Sequence, residues 1–184
     1  MTENFICLLL PLLIISQTFP AAGEPDPMKY PYRIEKLSHL RFYWHNIFSG
    51  PNPTVVNIVP PLEQKNKTTW LFGKVDMIDD PLTETPEAGS RLLGRAQGLY
   101  AMASQEEIGM LMAMDFVFST GKYKGSTLTI LGRNPALEKV REMPVIGGSG
   151  LFRFARGYAE ASTYSYDIKT GDAVVEYNVY VLHF

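Results

Sequence analysis

The chain has 184 residues, with 17 Lys and Arg against 19 Asp and Glu and a formal net charge of −2. Near-neutral charge without a basic run excludes nucleic acid and anionic membrane surfaces as expected partners. A single cysteine, Cys7, excludes an internal disulfide framework.

In chain order, "FICLLLPLLIISQTF" at 5–19 is apolar almost throughout and runs into "PAAG". That length suits a signal-peptide core and is short for a membrane-spanning helix. The expectation is a signal peptide over 1–23, a secreted product and no membrane attachment after its removal. About 160 residues remain, enough for one core. Cys7 leaves with the leader, so thiolate chemistry is not expected. The proline-rich "EPDPMKYPY" opens an extended arm over 24–36, followed by one domain over 37–184. "NKT" at 66–68 makes Asn66 the expected N-glycosylation site, in an exposed loop.

Short apolar or alternating runs follow at 37–48, 54–59, 69–78, 90–102, 108–118, 124–131, 143–146, 151–164 and 173–184. "SGPNP", "DDP", "STGKYKG", "GRNP", "GGSG" and "KTGD" read as turns between them. This pattern predicts an all-β sandwich or barrel. Val175, Tyr177, Val179 and Val181 share one face of the last strand, but its other face is also largely apolar. The run 108–118 behaves alike, with Met110, Met112, Met114 and Phe116 on one side and Leu111, Ala113 and Val117 on the other. Apolar residues on both faces imply an outer covering layer, and the expectation is oligomerisation. A competing local reading is a short helix, because Ser104 and Glu107 have capping-box spacing before "IGMLMAM".

The glycines of "MPVIGGSG" superficially suggest a phosphate loop, but the following residues alternate as a strand, whereas a dinucleotide site needs a helix there. "GGSG" is therefore expected to be a tight hairpin with positive φ. His39, His45 and His183 lack metal-ligand spacing, and there is no GxSxG. No metal or cofactor is expected. Polar residues interrupting apolar strands are the better candidates: Asn46, Arg95, Gln97, Asp115, Arg141, Glu142, Glu160 and Asp167. Burial would require each to have partners. One reading is structural pairing, such as Arg95 with an acid. The other is a ligand cavity with Phe42, Trp44, Tyr100 and Tyr177 as its flat walls. Asp79 and Asp80, in the expected turn "DDPLT", are candidates for backbone caps or for a general acid at a cavity rim.

The motifs "FYWHNI" (42–47), "DDPLT" (79–83), "GRAQGLY" (94–100), "FVFSTGKYKGSTLTILGRNP" (116–135), "VREMPVIGGSG" (140–150) and "FARGYAE" (154–160) together resemble the dirigent family of plants. The resemblance covers 37–184 and extends to the legume branch containing pterocarpan synthases. It implies an eight-stranded antiparallel, calycin-like β-barrel, a homotrimer, apoplastic secretion and a small phenolic substrate. It also implies cofactor-free dehydration of an isoflavanol to a pterocarpan through a quinone methide. The alternative activity is guidance of phenoxy radical coupling to lignans beside a separate oxidase. Arg141 is the matched electrostatic stabiliser, with Asp79, Asp80 and Glu142 as acid candidates. Phe42, Trp44, Asn46, Tyr100, Met102, Asn134 and Tyr177 are the matched pocket positions. Lignan-type members usually carry acids where this chain has Asn46 and Asn134, a tyrosine where it has Met102, and two cysteines in the mature chain.

Overall fold

The computed structural model describes residues 34–62 and 71–184. The expected signal peptide, most of the arm and Asn66 lie outside them. Alternating sequence becomes long strands: β1 (Lys36–Asn46), β2 (Val55–Val59), β3 (Val75–Thr83), β4 (Leu92–Met102), β5 (Gly109–Phe118), β6 (Thr127–Pro135), β7 (Arg141–Ser149), β8 (Arg156–Tyr166) and β9 (Ala173–His183). Consecutive strands from β3 to β9 pair antiparallel, and β1 pairs with both β9 and β3. Eight strands thus close an antiparallel barrel, and the short β2 flanks β3 outside the closure. Closure removes exposed edges, which stabilises a sheet protein against strand addition.

Several expected turns are strand. "DDPLT" lies inside β3, with Pro81 opposite Arg95 of β4. The proline is tolerated because of where its missing N–H would point. Asp79, two residues earlier, donates its N–H outward to Thr54 O. Pro81 faces the same way, beyond the end of β2 pairing and just before β1 pairing begins at Leu82. "GRNP" closes β6. Gly147 and Gly148 pair with Thr129 and Leu128 at the end of β7, so only Gly150 of the cluster takes positive φ (+62°), in the turn that follows. The competing helix is absent: Ser104 Oγ accepts the N–H groups of Glu106 and Glu107, but the chain then enters β5. Local capping is overridden by sheet pairing along Gly109–Phe118.

Inward positions follow the predicted period of two. Met112, Met114, Phe116 and Phe118 are buried on β5, and Val175, Tyr177, Val179 and Val181 on β9. Each large apolar side chain so buried contributes about 1.5–3 kcal/mol. Phe116 packs edge-on against Phe42 (centroids 4.9 Å) and Tyr177 (5.2 Å) at the centre. One end of the barrel is filled by Phe118, Tyr123, Phe152 and His183, with Tyr123 4.7 Å and His183 4.9 Å from the Phe152 ring. His183 Nδ1 donates to Leu151 O at 2.9 Å, fixing this plug. The opposite end carries the buried Asp76, Asn134 and Arg141.

Candidate active site

Strand register assembles the polar end. Met102 faces Met110, which faces Asn134 of β6. Arg141 faces Ala161, Ala161 faces Tyr177, and Tyr177 faces Phe42. The Nε–H of Arg141 donates to Asn134 Oδ1 at 3.2 Å, joining the two halves into one inward row across seven strands. Ala161 is small enough to leave room between the guanidinium and the phenol.

Arg141 is only 3% exposed. Its Nη1 donates to Thr163 Oγ1 at 2.9 Å and Glu138 O at 3.4 Å, and no carboxylate among the described residues pairs with it. Burial lowers its pKa, yet a guanidinium keeps its charge at physiological pH. A buried, uncompensated cation attracts an anionic oxygen strongly, because solvent does not screen it.

Asp80 lies across the site, fully buried. Asn46 Nδ2 donates to its Oδ2 at 2.8 Å, and the Thr54 hydroxyl donates to its Oδ1. Tyr100 OH donates to Asn46 Oδ1 at 3.4 Å, completing a chain of polar contacts. Burial pushes the Asp80 carboxyl up to about 6, against the opposing pull of Thr54 and Asn46 and the nearby Trp44 indole. The indole N–H itself is out of hydrogen-bond geometry, and both Trp44 Nε1 and Tyr177 OH are buried without a partner. Tyr177 is held protonated by burial, with Arg141 pulling its pKa down and Asp80 pushing it up. Its hydroxyl therefore lies within the fields of both the cation and the acid. Tyr100 is likewise kept neutral, first by burial and then by the charges of Asp76 and Asp80.

The structure separates the sequence candidates. Asp80, Arg141, Asn46, Asn134, Trp44 and Tyr100 are buried at the polar end, Phe42 and Tyr177 are buried at the centre beside them, and half-buried Met102 begins the row. Asp79 and Glu142 are corrections, because adjacent residues of a strand point to opposite faces. The Asp79 side chain is 55% exposed and accepts from Arg95 Nε at 2.6 Å and Gln97 Nε2 at 3.0 Å. This is the structural pairing expected of Arg95. Glu142 is exposed opposite Glu160 of β8, away from the interior. Sequence reading missed Thr54, Thr163 and Asp76. Fully buried Asp76 is held by Lys74 Nζ at 2.7 Å and Asn57 Nδ2 at 2.9 Å. Parity with Ala159 and Ala161 was the available signal for Thr163. A groove of about 920 Å³ passes Glu106, Arg133 and Met110 at the β4–β5 turn, reaching the inward row at Met110.

A blind barrel offering an acid, a free cation and neutral phenols defines a class of small-molecule β-barrel proteins. The family model described as dirigent-like protein matches residues 37–182, and the chain belongs to the dirigent family. Dirigent protein 7 of Arabidopsis thaliana is 55% identical, covering 100% of both chains. Pterocarpan synthase 1 of Glycyrrhiza echinata is 47% identical over 100% of this chain and 98% of its own length. The solved structure of the pterocarpan synthase dirigent protein GePTS1 superposes with a TM-score of 0.80 at 47% identity, covering 87% of this chain and 98% of that one.

Proposed function

We propose that this protein converts an isoflavanol to a pterocarpan by loss of water and ring closure, without a cofactor. The carrying observation is that the buried Tyr177 hydroxyl lies in the fields of both Asp80, whose carboxyl burial pushes up to about 6, and Arg141, which has no carboxylate partner among the described residues. Similarity to two proteins named as pterocarpan synthases supplies the reaction class.

The substrate's 7-hydroxyl passes its proton to solvent water as the C4–oxygen bond breaks, its electrons form the quinone methide, and that water later returns the proton. Arg141 stabilises negative charge developing on that phenolic oxygen. Protonated Asp80 gives its proton to the departing 4-hydroxyl, which leaves as water. The 2′-hydroxyl then adds to C4, its proton returns Asp80 to the acid form, and the 7-oxygen regains the proton it lost. The sum is isoflavanol to pterocarpan plus water. Asn46 and Thr54 position the Asp80 carboxyl, and the walls of Phe42, Trp44 and Tyr177 hold the rings for in-line attack.

Incubation with 3,4-cis and 3,4-trans isoflavanols bearing free 7- and 2′-hydroxyls, followed by chiral chromatography, tests this. Pterocarpan formation above the buffer rate is expected from at least one isomer, and no acceleration with either overturns the proposal. Coniferyl alcohol with an added oxidase is the control for radical guidance, and racemic product is expected.

The working form is a secreted homotrimer. Its support is a continuous outward row of apolar residues, Val56, Met77, Leu99, Ala113 and Leu131, that register aligns across β2 to β6. Val56 is 59% exposed, and Met77 and Leu131 are each 42% exposed, the composition of a surface covered by a second copy. Apoplastic location rests on the leader sequence and is tested by N-terminal sequencing of protein from the extracellular fluid.

A further inference from the structure

Two buried polar atoms of the interior have no task within the fold. Trp44 is 4% exposed and Tyr177 is fully buried. The indole Nε1 and the phenol oxygen make no hydrogen bond to any described residue. A donor buried in this way destabilises a fold, and most buried polar groups are paired. Both side chains belong to the inward faces of β1 and β9, and their rings meet edge to face with centroids 6.2 Å apart.

Both groups act on the same acid. Burial raises the Asp80 pKa, and the Trp44 indole is among the groups that oppose the rise. Burial also raises that of Tyr177, with Arg141 opposing and Asp80 reinforcing. The Asp80 oxygens already accept from Asn46 and Thr54. An indole N–H only donates, and burial keeps the phenol protonated. The proton donor of the proposed reaction is thus accompanied by two spare hydrogen-bond donors.

Such a pair suits an oxygen that gains lone pairs. The isoflavanol oxygen that meets Asp80 is the 4-hydroxyl, which starts with two. The proton of Asp80 takes one, and one donor holds the other. As the C4–oxygen bond breaks, its electrons become a further lone pair on the departing oxygen. The second donor finds its acceptor only then, so its bond forms in the transition state and not in the ground state.

We propose that Trp44 Nε1–H and Tyr177 O–H are two further catalytic donors that grip the 4-oxygen as it leaves as water. This role rests on the dehydration proposed above.

Tyr177→Phe deletes one oxygen that no described residue bonds, so its melting temperature should equal or exceed that of the wild type. Its kcat should fall about 10²-fold, with KM within about twofold. Benzothienylalanine at 44 keeps the bicyclic ring and puts sulfur in place of the N–H, and it should act alike. An isoflavan with the 7- and 2′-hydroxyls but no oxygen at C4 separates this contact from packing. Its Kd by calorimetry should be the same for the wild type and both variants. Unchanged kcat in either variant, early melting of Tyr177→Phe, or isoflavan binding weakened in step with turnover would each overturn the donor pair while an active wild type upholds the dehydration. A wild type that turns over neither isoflavanol isomer overturns the dehydration and the donor pair together.

Discussion

The Nε–H of Arg141 donates to the carboxamide of Asn134 at 3.2 Å, so a neutral group orients the buried guanidinium and leaves its charge unspent. A carboxylate at 134 would neutralise that charge in place. Asn134→Asp is expected to lower kcat about tenfold, a loss of roughly 1.4 kcal/mol in transition-state stabilisation. Its melting temperature should be retained. Arg141→Ala is expected to cost about 10²- to 10³-fold in turnover, with a smaller change in KM. Turnover and thermal unfolding measured on the same preparation check both. An Arg141→Ala protein that melts early but keeps its specific activity per folded molecule would make the arginine structural.

Asp80 sets a pH dependence with a definite sign. Its acid form is the proton donor, and burial raises its pKa to about 6. Activity should therefore be level below pH 6 and fall tenfold per unit above it, and Asp80→Asn should remove that limb along with most of the rate.

The same group links pH to stability. Its folded pKa stands about 2 units above the ordinary 3.8. The stability tied to the protonated form is complete below pH 4 and lost as pH rises through 6, about 3 kcal/mol in all. Chemical denaturation of wild type and Asp80→Asn between pH 4 and 7 checks this. The wild type should lose stability across the window, and the variant should not.

The barrel was legible because period two survives in β5 and β9, where every second residue is buried and apolar while the intervening positions admit Asp115, Glu176 and Asn178. Turns were legible only where glycine meets a real reversal, as at Gly150. "DDPLT" and "GRNP" misled because proline reads as a breaker unless the hydrogen-bonding direction of the strand is known, and that depends on partners far along the chain. Asp79 and Asp80 were indistinguishable as a pair. Parity separates them, since Asp80 falls in step with Ile78 and Leu82, both buried, and Asp79 with Met77 and Pro81. Glu142 is separated from Arg141 in the same way by Met143 and Val145. Thr54 and Asp76 were invisible because their roles arise from long-range contacts.

The outer apolar row predicts how assembly fails. Leu131→Arg together with Met77→Lys places charge in the middle of that row without touching the interior. Light scattering at low micromolar concentration should find a trimer for the wild type and a monomer for the double variant. A trimer unaffected by both charges would move the interface elsewhere.

Gly98 is a stability test of barrel curvature. Its φ is +150°, and a Cβ built there would lie 2.2 Å from Ala113 O on the neighbouring strand. Backbone cannot move aside cheaply, so Gly98→Ala should cost at least about 2–3 kcal/mol, through strain and a broken β4–β5 contact. Denaturant midpoints at constant m-value check it.

The aromatic plug of Phe118, Tyr123, Phe152 and His183 has a kinetic meaning. A vessel stoppered at its base has no through-traffic, so whatever enters by the polar rim must leave by the same route. On the reaction proposed above, the pterocarpan and the expelled water would share one exit with the next incoming isoflavanol. Product is then necessarily competitive with substrate, and turnover proceeds strictly one molecule out before one molecule in.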